Sequence, residues 1–260
     1  MTFLNRLHIL LIEDSDQLAG STSRELETDY GHKVTWLRDP STLESALADQ
    51  AFDVAIIDLL YEHLNREFDA RRRTHQVKVR GATLLISGLT AIRVLREQRP
   101  EMGIVVWTSG EANRRLHLLY SYENLAMRAY CSKSPGTGRS DSLEYAARMA
   151  HRRQAYIDPV LNPYLPRDRV RRSTDILLQD VSKRAIWRAI AIGADTRSEI
   201  SMIAGYSART IGNRIPEMYQ DLLEFDAGLA SSKSPFIEVA RYADRNWQFF
   251  LDDAVRVMYP

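Results

Sequence analysis

One cysteine, Cys131, in 260 residues leaves no partner for an internal disulfide and no second thiolate for a metal cage. That excludes a disulfide-stapled fold and a cysteine-built zinc or redox centre, and it fits a reducing compartment. Long apolar runs are equally scarce. The first twenty residues hold one short run, Ile9 to Ile12, closed by Glu13 and Asp14, so neither a secretory signal nor a membrane span is expected. The chain is therefore expected to be soluble and cytoplasmic, with no membrane partner. Excess charge of one sign is missing too: 35 Lys and Arg stand against 34 Asp and Glu, a net charge of +1, which gives the whole chain no electrostatic case for a polyanion. Repeats and low-complexity tracts are absent.

What is present is enough apolar residue, 45% of the chain, to fill two cores at this length. Charge is unevenly distributed. Residues 152–197 carry ten Lys and Arg against five Asp and Glu, whereas 198–260 carry six against nine. The run Arg167, Arg169, Arg171, Arg172 reads first as a solvated linker and second as a phosphate contact.

The first half alternates short β-branched or apolar runs with longer amphipathic stretches. His8 to Ile12, Lys33 to Leu37, Val54 to Ile57, Ile104 to Trp107 and Ala129 to Cys131 read as strands. Gln17 to Tyr30 and Leu89 to Gln98 repeat apolar residues at helical spacing, and Asp39 before Pro40 reads as an N-cap with proline at the first helical position. Strands alternating with helices imply a doubly wound, five-stranded parallel sheet, with chemistry at the carboxyl ends of the strands. One connection is too long for that unit. Roughly thirty residues separate Asp58 from the helix near Gly88, where ~2–6 suffice, so 61–80 is an insertion. It is basic, with Arg66, Arg71, Arg72, Arg73, Lys78 and Arg80, and is either disordered or a lid over the strand ends. Pro159, Pro163 and Pro166 punctuate the region after Tyr156, and from Thr174 the pattern is helical throughout. The division read is 1–155 for the α/β domain, 156–173 for a linker and 174–260 for a small all-α domain.

Glu13 and Asp14 follow the first strand, Asp58 the third, Thr108 the fourth and Lys133 the fifth, so all converge on one edge of such a sheet. Clustered carboxylates suit magnesium, an oxygen-seeking ion that keeps several waters; lysine offers a compact charge to a phosphoryl oxygen and threonine a hydroxyl. Taken singly, each residue has an ordinary role open to it as a helix cap or core residue. Together they require five coincidences.

The segments HILLIEDSD, DVAIIDLL, VVWTSG and AYCSKS, in that order, resemble the receiver domains of two-component response regulators over about Leu7 to Arg153. The resemblance implies that Asp58 is the phosphoacceptor. It implies that Asp14 and Asp58 hold Mg²⁺, with Glu13 helping through water and the Leu60 carbonyl completing the site. Lys133 would bind the phosphoryl group, and Thr108 and Tyr130 would form a switch pair drawn inward on phosphorylation. The donor would be a sensor histidine kinase or phosphotransfer protein. Family members place proline directly after the lysine, whereas here Ser134 precedes Pro135. Arg71 to Arg73 are further expected either to fold over the acyl phosphate or to be read by the kinase.

In the helical half, TRSEISMIAGYSARTIGNRIPEMYQDL has the spacing of a helix-turn-helix. Thr196 and Glu199 form a capping box, Gly205 ends the helix and Ser207 caps the next. Ile211 and Ile215 would be buried, leaving Arg209, Thr210, Asn213 and Arg214 outward for a major groove. With KRAIWRAIAIG before it and FIEVARYADRNW after it, the stretch resembles the LuxR-type DNA-binding domain over about Leu177 to Trp247. That implies duplex DNA as a partner, base or backbone contacts from Ser207, Arg209, Thr210, Asn213 and Arg214, and a homodimer through Ile237 to Trp247. Gly212 and Asp221 stand where that family has basic residues. Pro216 lies deep in the expected recognition helix, where proline costs about 3 kcal/mol, so a kinked or shortened helix is expected there.

The reading is a regulator rather than an enzyme: phosphorylated on Asp58, with Mg²⁺, and acting on DNA. Two alternatives stay open, a receiver whose helical domain binds protein instead of DNA, and a regulator independent of phosphorylation. A phosphatase of the haloacid dehalogenase type needs a second acid two residues after its nucleophile, and Leu60 stands there.

Overall fold

Parallel strands covered on both faces read as continuous apolar runs, and this is how the central strands of the first half are built. In the computed structural model, which describes residues 6–73, 86–109, 114–133, 139–166, 172–225 and 234–260, the strands are β1 (His8–Ile12), β2 (Lys33–Leu37), β3 (Val54–Ile57), β4 (Gly103–Thr108), β5 (Ala129–Ser132) and β6 (Tyr156–Ile157). All pair in parallel in the order β2-β1-β3-β4-β5-β6. The sheet thus has one strand more than the five expected. Tyr156–Ile157 is too short for a periodic signal and falls in the stretch read as linker, yet it pairs with Ala129 and Tyr130.

Alternate residues face opposite sides of the sheet. Ile9, Leu11, Val54, Ile56, Val105, Trp107, Ala129 and Cys131 pack with Ala19 and Leu26 of α1 (Asp16–Thr28) and with Leu143, Ala146, Ala147 and Ala150 of α6 (Arg139–His151). The small alanines of α6 make room for Trp107, which is fully buried. Leu10, Ile12, Ala55, Ile57, Val106 and Tyr130, all buried, point to the other side. The remaining helices of this stretch of sequence are α2 (Leu43–Asp49), α3 (Glu62–Arg73), which from Leu64 onward belongs to the second compact unit, α4 (Gly88–Gln98) and α5 (Arg115–Glu123). Asp39 caps a short 3-10 turn, Pro40–Thr42, that leads into α2. Ser15 caps α1 through the Leu18 amide at 3.3 Å.

The described residues form two compact units, the first within 1–63 and 86–166, the second within 64–85 and 167–260. Half of the stretch read as linker therefore belongs to the first unit. There Asp158 accepts from the amides of Ser132 (3.1 Å) and Val160 (3.0 Å), and Leu161 and Leu165 are buried. The insertion also differs from a disordered segment, because its first part is the helix α3. Residues 74–80 and the side chains of Arg71, Arg72 and Arg73 lie outside the described residues, as do Ser134 and Pro135.

The second unit contains α7 (Ser173–Leu178), α8 (Val181–Ile192), α9 (Arg197–Ala204), α10 (Ala208–Phe225), α11 (Pro235–Arg245), α12 (Trp247–Leu251) and α13 (Asp253–Met258). Its core centres on Trp187 of α8, 1% exposed, which stacks on Phe250 at 4.8 Å and 5°. Asp180 caps α8 by accepting from the Lys183 amide at 2.9 Å. Thr196 and Glu199 form the capping box of α9, and Gly205, at φ 73°, takes the left-handed conformation that ends it. The Ser207 hydroxyl then accepts from the Thr210 amide at 3.1 Å and opens α10.

Pro216 does not shorten α10, which runs unbroken from Ala208 to Phe225. Ile211, Ile215, Met218, Tyr219, Leu222 and Phe225 are all buried along one stripe that continues through the proline. At about 1.5–3 kcal/mol per buried large apolar side chain, the residues beyond position 216 outweigh a proline penalty of about 3 kcal/mol. The expected shortening is thus overridden by packing.

Candidate functional site

The register of the sheet brings the site together. Ile12 pairs with Ile57, Ile57 with Val106 and Thr108 with Ser132, so the residues just past β1, β3, β4 and β5 share one edge. Glu13 and Asp58 are each 1% exposed, while Asp14 is half-buried. One oxygen from each of these three carboxylates lies within 4.8 Å of the others. Three oxygen donors so placed, with the half-buried one open to water, suit a hard divalent cation, and the cluster can hold a metal ion.

Two cations face the carboxylates. Lys133 Nζ lies 2.6 Å from Glu13 Oε2 and 2.9 Å from Asp58 Oδ1, and 5.0 Å from the centroid of the Trp107 ring. Arg114 Nη1 lies 3.1 Å from Asp58 Oδ1 and 3.4 Å from Oδ2, and its Nη2 lies 3.5 Å from Glu62 Oε1. Asp58 Oδ1 also accepts from the Leu59 amide at 2.8 Å. Burial pushes the Glu13 carboxyl above its ordinary range; the Lys133 charge opposes this and the Asp58 charge adds to it. The Glu13 backbone is fixed by its own amide, which donates to Leu37 O at 3.1 Å, and by Trp36 Nε1, which donates to Glu13 O at 2.8 Å. Leu60 is buried beside Asp58 in sequence, and Tyr61 follows, also buried, its hydroxyl held well above the ordinary tyrosine range first by burial and then by Asp58 and Glu13.

Gly88 anchors the far side of the long insertion. Its amide donates to Leu59 O at 3.0 Å, and a Cβ there would stand 2.0 Å from Asp58 O. Only glycine brings the start of α4 this close to the Asp58 backbone. Ser87, which accepts from the Leu89 amide at 3.0 Å, caps that helix.

Thr108 is fully buried, and its hydroxyl donates to Ser109 O at 3.3 Å. Tyr130 occupies the inward position: its ring is fully buried and its hydroxyl lies 3.1 Å from Ser121 Oγ on α5. Burial raises that hydroxyl above the ordinary tyrosine range.

Sequence reasoning missed Arg114 and the full role of Gly88. A weak signal for Arg114 existed: it lies in the connection after β4, six residues beyond Thr108, and such connections line the carboxyl edge of a doubly wound sheet.

In the second unit, α9 and α10 pack as consecutive helices around the Gly205 turn. Ser207, Arg209 and Asn213 are exposed and Thr210 and Arg214 half-exposed, opposite the buried Ile211 and Ile215. Thr210 Oγ1 lies 2.9 Å from Ser207 Oγ. Arg214 pairs with Glu217 at 2.7 Å and Asp180 at 3.7 Å, and its guanidinium is raised in pKa first by the Glu217 hydrogen bond. Asp221, at a position basic in the LuxR-type pattern, pairs with Lys183 at 2.6 Å.

No family model matches the sequence, and no curated protein matches it. Solved structures do. A response regulator RcsB in complex with DNA is 17% identical, covering 93% of this chain and 99% of that one, with a TM-score of 0.55. An RcsB response regulator of Salmonella typhimurium is 16% identical over 91% of this chain and 98% of its own, with a TM-score of 0.52. The fold is that of a two-domain response regulator. The first unit carries the acidic cluster at the carboxyl edge of its parallel sheet, and the second carries the consecutive helices α9 and α10. Among the described residues no helix is long and apolar enough to cross a membrane.

Proposed function

We propose that this chain is a phosphorylation-controlled, DNA-binding regulator rather than an enzyme. The observation that carries the reading is the convergence of Glu13, Asp14, Asp58 and Lys133, from three separate strand ends, in a chain that also holds a helix-turn-helix. Asp58 attacks the phosphorus of a phosphohistidine on a sensor histidine kinase or phosphotransfer protein. A P–O bond forms, the P–N bond breaks, and the imidazole leaves as histidine. Asp14, Asp58 and the Leu60 carbonyl are the candidate holders of Mg²⁺, with Glu13 acting through water; the ion would neutralise charge on the phosphoryl oxygens. Lys133 provides a second positive charge beside them, and Thr108 a hydroxyl at the neighbouring strand end. Thr108 and Tyr130 form the switch pair of this reading, both side chains lying buried on neighbouring strands.

DNA is proposed as the partner of α10. The RcsB structure of similar fold is bound to DNA, and another places two RcsB dimers on two parallel DNAs, at 16% identity and a TM-score of 0.53 over 93% of this chain and 99% of that one. A homodimer follows as the expected assembly, with α11 as one candidate face. A second reading, that the helical domain binds protein, is favoured by one observation: Arg214 and Lys183 are already paired with Glu217, Asp180 and Asp221.

Binding of the protein to a random duplex pool, followed by fluorescence anisotropy across a salt series with and without acetyl phosphate, separates the two. Log affinity is expected to fall linearly with log salt at a slope of about −0.9 per phosphate contacted. Affinity should rise on phosphorylation, and Arg209→Ala should weaken binding. No salt-dependent duplex binding in either state would transfer the function to a protein partner.

A further inference from the structure

Resting on that reading, the structure adds one residue to the phosphoryl site. Arg114 lies between Thr108 and Lys133 in sequence but outside every motif of the resemblance, and its side chain is only 9% exposed. Its Nη1 straddles both oxygens of Asp58, at 3.1 and 3.4 Å, while Lys133 and the Leu59 amide take the remaining space on Oδ1. Both oxygens of the candidate nucleophile are therefore engaged by a fixed positive group. A divalent cation bound to Asp58 at the usual ~2.1 Å oxygen distance would sit within a few ångströms of the guanidinium, where like charges in a buried site repel strongly.

Charge counting points the same way. Within the site, Lys133 and Arg114 offset two of the three negative charges of Glu13, Asp14 and Asp58, with the exposed Glu62 adding a fourth at the rim beside Arg114. Arg114 also has somewhere else to go. Its Nη2 is 3.5 Å from Glu62 Oε1, and the Glu62 side chain is 62% exposed. A rotation toward Glu62 would keep the guanidinium paired and release Asp58.

We propose that Arg114 is the internal counter-ion of the resting site: it occupies Asp58 in competition with Mg²⁺ and must swing toward Glu62 before the metal can take the Asp58 oxygens. It is a positioning residue that sets metal affinity. A receiver carrying this arginine binds Mg²⁺ more weakly than its carboxylates alone would allow.

The test is calorimetric titration of the full chain with MgCl₂ alone, comparing wild type, Arg114→Gln, Arg114→Lys and Asp58→Asn, with circular dichroism to confirm folding. Arg114→Gln removes the charge and is expected to tighten Mg²⁺ binding about 10-fold or more, the size expected for relieving a close, partly screened charge repulsion. Arg114→Lys keeps the charge and should stay within about 3-fold of wild type on the same electrostatic argument. Should Arg114→Gln fail to fold, Glu62→Gln gives the second reading: it removes the alternative partner and is expected to weaken Mg²⁺ binding, and unchanged or tighter binding in it would overturn the swing toward Glu62. Unchanged or weaker binding in Arg114→Gln, with Asp58→Asn clearly weaker than wild type, would overturn the role of Arg114 and leave the metal site standing. If no protein binds Mg²⁺ and Asp58→Asn changes nothing, the inference and the metal reading fall together.

Discussion

Replacing Gly88 by alanine is expected to destabilise the first unit by about 1–3 kcal/mol and to abolish the proposed phosphoryl loading of Asp58. The new Cβ would lie 2.0 Å from Asp58 O and 2.9 Å from both Asp58 C and Leu59 Cα, all backbone atoms that cannot rotate away. Either α4 withdraws, losing the 3.0 Å bond from the Gly88 amide to Leu59 O, or the backbone carrying Asp58 shifts. Packed interiors leave few voids to absorb such a shift. Asp58 contacts Lys133 and Arg114 at 2.9 and 3.1 Å, so even a small movement breaks the geometry of the site. Urea unfolding and acetyl phosphate loading measure the two effects separately. Wild-type stability together with wild-type loading would show that the close approach is unimportant.

Trp187→Ala should be the most damaging single truncation in the helix-turn-helix domain, at about 3–5 kcal/mol. The indole is 1% exposed, stacked on Phe250 at 4.8 Å and tilted against Tyr242 at 5.9 Å, so it ties α8 to both α12 and α11. No neighbouring side chain can fill the volume left, because Phe250 and Phe249 are themselves fully buried and held edge-to-face at 5.6 Å. Since α9 and α10 rest on this core, duplex binding should be lost along with the unfolding transition of this domain, while phosphorylation of Asp58 persists. Differential scanning calorimetry, where an early transition appears only in the variant, checks the prediction. An unchanged thermogram would contradict the assigned core.

Four of the main strands could be read in the sequence because burial on both faces forces runs such as Val54–Ile57 to be wholly apolar, whereas the edge strand β2, nowhere fully buried, was legible from its β-branched Val34 and Thr35. Capping chemistry was equally legible, since Thr196, Glu199, Gly205 and Ser207 act through neighbours three or so residues away. The carboxylates and Lys133 were legible because strand ends of a parallel sheet share an edge. Other features depend on distant packing. α5 gave no amphipathic stripe, as Leu116 to Ser121 are buried in succession. The pairing of Arg114 with Asp58 spans 56 residues and depends on a loop path that no local pattern encodes. Pro216 was read by its local rule, and the buried stripe from Ile211 to Phe225 outvoted that rule. Tyr130 was placed by resemblance, but its inward position is set by Ser121 on a helix that the pattern did not reveal.

Phosphoryl transfer to Asp58 is read by intact-mass spectrometry of the purified chain after incubation with Mg²⁺ and acetyl phosphate, beside Asp58→Asn. The wild-type protein is expected to gain one phosphoryl group, a gain lost when EDTA is present during loading and absent from the variant. An equal gain in Asp58→Asn, or none in a folded wild-type protein offered a phosphohistidine donor as well, would contradict it.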